Sequence, residues 1–500
     1  MLRLRPDPVV TDSDLAAGKR ALVLDAAWGS ASGALSGGVV LAAFALALGA
    51  DPQLIGLLAA LPFIAQAAQL PAIVLIERLR QRRKIGVLAL TAARVLLFAI
   101  VLIPFLPEMR GALPMLVLLQ FLISALGAVG GCAINSWLHQ LIPQEGLGDF
   151  FSKRLLWGTV LACAGTLVAG QLVDNLPFEN PLHAYAIVFA GAAIMGLVSC
   201  GYIVRAPEPQ MKNAGPPGTL VSKLRVPFGD TNFRQLLVFL GAWNIASNIA
   251  APFLTVYLMR QLGYGLGTVT TLWVTSQLTN ALTLYLWGRL SDRLSNKAIL
   301  AVALPVYFFS TLALVFTRSA DDPGLRLALL YGLHVVMGAA TGGIALATGN
   351  IGLKLAPQGH GTSYLAAIGF VSAVAGGIAP IAAGFIAQGF QASELSAVVR
   401  WASPGQSEEV RVFAFAHWEF LFLLSTLLGL YVMHALSRVR EGHEISERVV
   451  MQEFAFEAMR SLSNQISSIG GALGSLFPFE RLAERRGLFG RVGNGRASRP

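Results

Sequence analysis

The sequence contains few charged residues for its length. Asp, Glu, Lys and Arg make up 13% of the 500 residues, about half of the roughly 25% found in soluble domains. Hydrophobic residues make up 55%, and a soluble protein this apolar would expose large hydrophobic patches, which soluble monomers rarely do. The shortage of charge therefore argues against a water-soluble enzyme and predicts a protein that crosses a membrane several times.

Cysteines are also scarce. Cys132, Cys163 and Cys200 are scattered through apolar stretches, and none occurs in a CxxC or another metal-ligand spacing. The sequence therefore predicts no metal site and no disulfide framework. It also lacks a Walker loop, a dinucleotide fingerprint and a recognisable nucleophile–base pair. We predict that the protein is not an enzyme and has no cofactor.

What is present in quantity is apolar sequence. A helix needs about 20 apolar residues to cross a bilayer, and twelve segments qualify. Span 8 is the weakest, because Thr, Ser, Gln and Asn side chains interrupt it. The predicted fold is all-α with twelve transmembrane helices. The predicted spans are 21–48, 53–76, 85–106, 114–139, 155–173, 183–204, 235–259, 267–288, 298–317, 327–353, 362–388 and 413–437.

The basic residues lie mostly on one side of this topology. If the N-terminus is cytoplasmic, the inside segments carry 30 of the 37 Lys and Arg residues, the outside loops carry 6, and Arg94 lies within a span. Cytoplasmic loops of membrane proteins show this excess. We therefore expect both termini to be cytoplasmic, in a bacterial-type inner membrane. The net charge of +10 then reflects orientation, and we predict no nucleic-acid partner.

The chain contains an internal repeat. Four dipeptides recur in order at offsets of 214 or 215 residues: Ala27-Trp28 with Ala242-Trp243, Leu48-Gly49 with Leu262-Gly263, Glu77-Arg78 with Asp292-Arg293, and Pro143-Gln144 with Pro357-Gln358. Because each half has six spans, both halves insert in the same orientation. Such duplication is characteristic of alternating-access transporters, which bind substrate between the halves. The predicted organisation is an N-terminal cytoplasmic segment 1–20, a bundle 21–204, a cytoplasmic linker 205–234, a second bundle 235–437 and a cytoplasmic tail 438–500.

The loop after span 8 carries a motif. Gly288-Arg289-Leu290-Ser291-Asp292-Arg293 resembles the Gly-x-Leu-x-Asp-Arg signature of the major facilitator superfamily, and the first-half copy is degenerate. The resemblance implies two pseudo-symmetric six-helix bundles and alternating access. Anchoring by positive charge alone is the other explanation of these loops. The candidate residues of a cytoplasmic gate are Glu77, Arg78, Gly288, Asp292 and Arg293.

A few polar side chains lie within the predicted spans, where a polar group usually faces a cavity or a partner. In spans 1, 4, 7 and 10 they follow helical spacing and so share one face of each helix. The resemblance implies that these four helices line a central cavity. For the hydroxyl groups, close helix packing is the alternative. The candidate substrate-binding residues are Trp28, Ser32, Gln120, Asn135, Trp243, Asn244, Asn248, Tyr331, His334 and Thr341.

Four ionisable residues in the spans are candidates for coupling or for buried ion pairs: Asp25, Arg94, His334 and Glu419. Arg94 lies ten residues into span 3, too deep to reach the headgroups easily, so it needs a carboxylate or carbonyl partner. Asp25 and Glu419 are the available acids, although each could instead sit near a headgroup layer. Proton coupling would use His334, which titrates near neutrality without help, or one of the buried carboxyl groups.

Together these features predict a secondary active transporter that moves a small organic solute by alternating access, with protons as the candidate coupling ion. A cavity of hydroxyl, amide and aromatic groups favours a neutral, amphipathic or weakly charged solute. The alternative is a lipid or pigment flippase or carrier, or an assembly factor for a membrane complex, on the same fold. We expect a monomer. The tail, with an amphipathic segment followed by six arginines from Arg481 to Arg499, is predicted to contact anionic lipids.

Overall fold

The computed structural model describes residues 6–7, 10–106, 111–143, 147–211, 226–293, 295–357, 361–403, 406–441 and 452. The predicted tail therefore lies outside the described residues, apart from 438–441 and 452. The same holds for residues 212–225, which form the middle of the predicted linker. Within the described residues, twelve long helices correspond in order to the twelve predicted spans.

The helices are α1 (Asp12–Ser36, continued after Gly37 as Gly38–Ala47), α2 (Pro52–Ile64, a 3-10 segment Ala65–Ala68, then Gln69–Leu79), α3 (Arg82–Leu102), α4 (Ala112–Leu141), α5 (Leu147–Asn175), α6 (Leu182–Arg205), α7 (Thr231–Val256, with a π-helical turn Tyr257–Gln261), α8 (Leu266–Arg293), α9 (Asn296–Phe316), α10 (Pro323–Leu355), α11 (Gly361–Gly389) and α12 (Glu419–Arg438). We call the end of the bundle where α1 begins and α12 finishes the terminal end, and the opposite end the distal end. The break in α1 occurs where Gly38 has a φ of +50°, a left-handed conformation that glycine adopts without steric cost.

The polar helix α8 satisfies most of its hydroxyl groups by itself. Eleven of the described helices are long and apolar enough to cross a membrane, and α8, with 28 residues, has the length but not the apolar composition. Its Thr275, Thr279 and Thr283 hydroxyls donate to the carbonyls four residues earlier, at 2.8, 2.9 and 2.8 Å. Such bonds pair a threonine hydroxyl within its own helix, so α8 can lie inside the bundle despite its composition.

A β-hairpin between α11 and α12 corrects the predicted start of span 12. Strands β1 (Glu394–Ser403) and β2 (Gln406–Ala416) pair antiparallel. Residues 413–416 belong to β2, and α12 begins at Glu419. Hydropathy joined the apolar end of β2 to the helix that follows, because the two are separated only by a short turn. The pairing with β1 distinguishes them, and a hydropathy window does not detect it.

Each half of the chain has its own hydrophobic core. Phe239, Phe308 and Phe422 are buried in the C-terminal half, and Phe44 and Phe189 are buried in the N-terminal half. The N-terminal core also includes residues of α7 and α11 near the distal end, so the two cores meet there.

Helix α2 shows where the halves separate. Its first part, Pro52–Ile64, packs along α11 of the other half, whereas its second part, Gln69–Leu79, packs against α3 and α4 of its own half. Ala72 and Ile76 are the buried residues of that second part. Helix α5 likewise packs on α8, and Gly170 near its distal end lies against Gly267 and Thr270. Among the described residues, the halves are therefore in contact at the distal end and separate towards the terminal end.

A buried carboxylate follows the sixth helix of each half. Glu208, after α6, accepts a hydrogen bond from the backbone N–H of Arg82 at the start of α3, at 2.6 Å. Glu441, after α12, accepts hydrogen bonds from the backbone N–H groups of Asn296 and Lys297 at the start of α9, at 3.1 and 2.6 Å. A carboxylate is stabilised at a helix N-terminus by the free N–H groups and the helix dipole. The repeat therefore extends to the segments that follow the two bundles.

The first part of the linker is fixed to the N-terminal half by two buried arginines. The Arg82 guanidinium lies 3.6 Å from the Glu208 carboxylate and donates to the carbonyl of Pro209 at 2.7 Å. Arg83 donates to the carbonyl of Ala206 at 2.9 Å. Burial raises the pKa of the Glu208 carboxyl above its usual value, and the backbone N–H groups and charges of Arg82 and Arg83 oppose that rise.

We expect Glu208→Ala to lower the free energy of unfolding by about 3 kcal/mol, because removing one partner of a buried ion pair leaves the other charge unpaired. Thermal unfolding of the purified protein in detergent would measure the loss. Glu179→Ala is the control, since Glu179 is exposed in the loop between α5 and α6. Equal melting temperatures for the two variants would contradict a stabilising role for Glu208.

Candidate functional site

A cavity of about 550 Å³ lies between the two halves, in the distal part of the bundle. The N-terminal half lines it with residues of α1, α2 and α4, and the C-terminal half with residues of α7, α8, α9, α10 and α12. Cavities of this size hold small organic ligands. The break in α1 at Gly37 and Gly38 forms part of the wall, so the irregular backbone of α1 faces the cavity.

Polar side chains are concentrated on the C-terminal wall. The N-terminal half contributes glycine and apolar side chains, with Gln120 of α4 as its one polar side chain in the described lining. The C-terminal half contributes hydroxyl, amide, imidazole and indole groups beside apolar side chains such as Leu254, Met337 and Phe422, so nearly all polar groups of the cavity lie on one side of it. These polar residues are Thr255, Trp273, Ser276, Gln277, Asn280, Tyr307, Thr311, His334 and Thr341.

Helix α8 supplies a larger share of the polar wall than the sequence analysis assigned to it. Trp273, Ser276, Gln277 and Asn280 follow one another at i, i+3, i+4 and i+7, which places them on one helix face. Sequence reasoning missed them as binding residues. The signal in the sequence is the polar interruption of span 8, whose side chains recur at helical spacing.

Several of these groups have unused hydrogen-bonding capacity. The Gln120 side chain is 7% exposed, and its Oε1 has no hydrogen-bond partner among the described residues. The Gln277 amide likewise has none within the described part of the chain. His334 Nδ1 lies 2.8 Å from the carbonyl of Leu330, so a neutral ring donates from Nδ1 and keeps Nε2 as an acceptor. The cavity therefore offers amide groups and an imidazole to a ligand.

Asn280 and Thr341 form a polar pair within the wall. The Asn280 amide donates to the Thr341 hydroxyl at 3.1 Å, and that hydroxyl donates to the carbonyl of Gly338 at 2.9 Å. The pair joins α8 to α10. Of the ten predicted substrate-binding residues, the structure brings Gln120, His334 and Thr341 to the cavity.

The candidates on α1 and on the terminal part of α4 lie outside this cavity. Ser32 is buried and donates to the carbonyl of Ala192 on α6 at 2.7 Å, so it packs helices within the N-terminal half. Trp28 is half-buried, nine residues before the break in α1, which is about 14 Å along the helix. Asn135 is exposed, about 22 Å beyond Gln120 on α4. Both lie nearer the terminal end than the cavity does.

The candidates on α7, together with Tyr331 on α10, also lie outside the cavity. Asn244 donates to the carbonyl of Leu240 at 2.8 Å, and Asn248 donates to the carbonyl of Asn244 at 2.8 Å. Trp243 packs edge-to-face on Tyr307 and Phe308. The Tyr331 hydroxyl lies 2.7 Å from that of Thr271 on α8. These side chains have partners within the C-terminal half. Helical periodicity alone does not distinguish a polar face that packs inside one half from a polar face that lines a cavity.

The buried charges of the N-terminal half form a small network. Asp25 accepts a hydrogen bond from Ser199 at 2.6 Å and pairs with Arg154 at 3.4 Å. Arg94 lies beside Gly196 and close enough to Asp25 for an electrostatic interaction. Asp25 is therefore the acid near Arg94. Sequence analysis did not identify Arg154, which is positioned by the early start of α5 at Leu147.

Glu419 lies at the distal end, far from Arg94. It occupies the first turn of α12 instead of a position two turns into a span, because the helix starts later than predicted. Its side chain is fully buried, accepts hydrogen bonds from Gln261 at 2.8 Å and from the backbone N–H of Ala416 at 2.7 Å, and lies 3.9 Å from Arg318. Glu419 thus joins the end of α7, the hairpin and α12.

Comparison with known proteins identifies the family. The sequence matches the family model of the Major Facilitator Superfamily over residues 26–380, which is more than half of the chain. The chain belongs to this superfamily. The family predicted from the loop motif and the predicted all-α fold are both confirmed, and the protein is a multi-pass membrane transporter, not an enzyme.

Solved structures of superfamily transporters share this fold. The nucleoside transporter NupG has a TM-score of 0.60 at 14% identity, covering 87% of this chain and 100% of that chain. A D-xylose-proton symporter has a TM-score of 0.60 at 16% identity, with 85% and 98% covered. A bacterial homologue of the human lysosomal transporter Spinster, in an inward-facing state, has a TM-score of 0.56 at 14% identity, with 90% and 98% covered. No curated protein sequence matches this chain.

The structure describes only some of the predicted gate side chains of this superfamily transporter. Glu77 and Arg78 are exposed near the terminal end of α2, and in the described part of the chain no contact joins them to the C-terminal half. A side chain added at Gly288 would meet open space. The side chains of Asp292 and Arg293 lie outside the described residues. The role of this gate remains a prediction.

The distal end of the transporter is closed by backbone-to-backbone contact between α2 and α11. A Cβ atom added at Gly56 would overlap the carbonyl oxygen of Pro380, and one added at Gly384 would lie 2.7 Å from the carbonyl oxygen of Pro52. Glycine allows helix backbones to approach this closely. The part of the chain that the structure describes therefore corresponds to a state of the alternating-access cycle that is closed distally, with the two bundles separating towards the terminal end.

We expect Gly56→Ala to shift the transporter towards a distally open state, because the added methyl group cannot fit against Pro380. Spin labels at Glu179→Cys and Ala392→Cys, in a chain whose native cysteines are replaced, would report a longer distance between the halves. Gly33→Ala is the matched control, since a Cβ atom at Gly33 meets open space. An unchanged distance distribution in Gly56→Ala would contradict the role of this contact in closure.

Proposed function

We propose that this transporter moves a small organic solute with a polar end and an apolar body across a bacterial-type inner membrane. The supporting observation is the amphipathic cavity, in which the described polar side chains other than Gln120 come from the C-terminal half and the rest of the N-terminal lining is apolar or glycine. A solute bound there would place its hydrogen-bonding groups against α8 and α10 and its apolar part against α1 and α2. The nucleoside and D-xylose transporters of similar fold are named for neutral, polar solutes.

The unpaired amides of Gln120 and Gln277 support recognition of a neutral polar group. An amide donates and accepts, so it suits hydroxyl, carbonyl and amide groups of a solute. The described lining contains no Lys, Arg, Asp or Glu side chain. A fully charged solute would lose its hydration there without gaining an ion pair, which is unfavourable.

We propose that the terminal end is cytoplasmic. The 30 to 6 distribution of Lys and Arg supports this orientation. In that orientation the state described here receives or releases solute on the cytoplasmic side.

We propose His334 as the residue that couples transport to protons. Of the three candidates for titration, His334 lies in the cavity wall, whereas Asp25 is paired with Arg154 and Glu419 with Gln261 and Arg318. An imidazole changes charge near neutral pH, so a proton on His334 would alter the hydrogen bonds offered to a bound solute.

The apolar N-terminal wall also suits a lipid or pigment, which is the alternative cargo for the same fold. A thermal-shift screen that contains nucleosides, pentoses, short amphipathic solutes and lipids would separate these possibilities. Stabilisation by water-soluble solutes supports solute transport, whereas stabilisation by lipids or pigments alone supports the alternative.

For a solute found in this screen, we expect Gln277→Ala to weaken binding about tenfold, the effect of losing one hydrogen bond to a ligand. Isothermal titration calorimetry on the purified protein would measure the affinity. Asn248→Ala is the matched control, because Asn248 also carries an amide but bonds within α7, outside the cavity. Equal affinities of wild type and Gln277→Ala would argue against this wall as the polar recognition surface.

We expect His334→Gln to abolish solute accumulation driven by a proton gradient in proteoliposomes while solute exchange across the membrane continues. Glutamine keeps hydrogen-bonding groups but does not titrate. His183→Gln is the control, because His183 lies at the start of α6, outside the cavity, where its ring stacks on Phe105. Gradient-driven accumulation that persists in His334→Gln would show that His334 does not couple transport to protons.

A further inference from the structure

A second, smaller cavity lies at the terminal end of the C-terminal half, between α7 and α12, away from the central cavity. Its volume is about 240 Å³. Its members combine two arginines and a histidine with amide, phenol and apolar groups. They are Arg234, Gln235, Val238, Tyr431, His434, Ala435 and Arg438.

The charge of this pocket is positive. Arg234 lies in the first turn of α7, Arg438 is the last residue of α12, and His434 precedes Arg438 by one turn. No acidic side chain lines the pocket, and among the described residues neither guanidinium has an ion pair or a hydrogen bond. Both exposed arginines line this one pocket, and arginine is well suited to phosphate.

Two described acids next to the ends of α7 and α12 bind other groups. Asp230 accepts hydrogen bonds from the backbone N–H groups of Asn232 and Phe233, at 3.0 and 3.1 Å, and so caps α7. Glu441 binds the start of α9 and lies 3.1 Å from Lys354. Neither carboxylate forms an ion pair with Arg234 or Arg438 among the described residues.

On the distal side of the two arginines, the surface formed by α7 and α12 is apolar and exposed. Val238 lies one turn from Arg234 and is 47% exposed. On α12, Tyr431, Leu430 and Leu427 follow at increasing depth and are all more than half exposed. Leu427 lies eleven residues from Arg438, about 16 Å along the helix. A free phosphate would need only the cations, whereas a phospholipid would also occupy this apolar surface with its acyl chains.

We propose that this pocket binds the phosphate headgroup of an anionic phospholipid between Arg234 and Arg438, with the acyl chains along Val238 and Leu427. Basic pockets between transmembrane helices are suited to such headgroups. Both helices belong to the C-terminal half, so movement between the halves leaves the site intact. The lipid would hold α7 against α12 in every state of the transport cycle. This proposal does not depend on the identity of the solute.

Native mass spectrometry of the delipidated full-length protein, titrated with phosphatidylglycerol or phosphatidylcholine, tests the proposal. The wild type should prefer phosphatidylglycerol. The double variant Arg234→Gln/Arg438→Gln should bind phosphatidylglycerol about thirtyfold more weakly at its tightest site, from the loss of two headgroup charges. The arginine-rich tail is present in both proteins, so its own lipid binding cancels in the comparison. If the double variant does not fold, Arg438→Gln alone carries the test.

The control is the double variant Arg20→Gln/Arg205→Gln, which removes the same charge from exposed positions at the same end of the N-terminal half. An equal loss of binding in this control would show diffuse electrostatic attraction and overturn the proposal. Equal binding of the two lipids by the wild type would also overturn it. Displacement of the lipid by millimolar inorganic phosphate would identify a free-phosphate site instead.

Discussion

Polar side chains inside a bundle of apolar helices need partners, because hydrocarbon supplies none. Most of this transporter satisfies them locally: the threonines of α8 bond to their own helix, Asn244 and Asn248 bond along α7, and Asp25 is paired with Ser199 and Arg154. The amides of Gln120 and Gln277 are different, since each faces the central cavity with unused hydrogen-bonding capacity. A ligand can bind there because these two amides still have donors and acceptors to offer.

The second constraint is the close packing of helices from the two halves at the distal end. There α2 and α11 touch through Gly56, Pro380 and Gly384, and the hydrophobic core of one half extends into the other. Towards the terminal end α2 returns to its own half, and the two bundles part. Each bundle is held by its own aromatic core and by a buried carboxylate after its last helix. This division allows the bundles to move as units about a central cavity.

The fold could be predicted from sequence because the patterns that indicate it are visible along the chain. Hydropathy placed the spans, the 214–215-residue offset revealed two halves, and the loop around Asp292 indicated the family. The site could be predicted only in part. Gln120 and Trp243 both lie on polar faces of their helices, yet Gln120 reaches the cavity and Trp243 packs on Tyr307 and Phe308. The difference depends on how each helix is rotated and tilted in the bundle, which periodicity does not encode.

Composition and periodicity alone determined that this protein crosses the membrane with twelve helices in two related halves, because burial in lipid demands long apolar segments. The tertiary structure decided which polar face becomes a cavity wall. It made the interrupted span α8 the main polar surface of the site, and it placed the apolar run before Glu419 in a hairpin strand. Side chains that are distant in sequence meet only when the helices pack. Helix packing therefore decides whether a polar side chain is hydrogen-bonded within the protein or is left to bind a ligand.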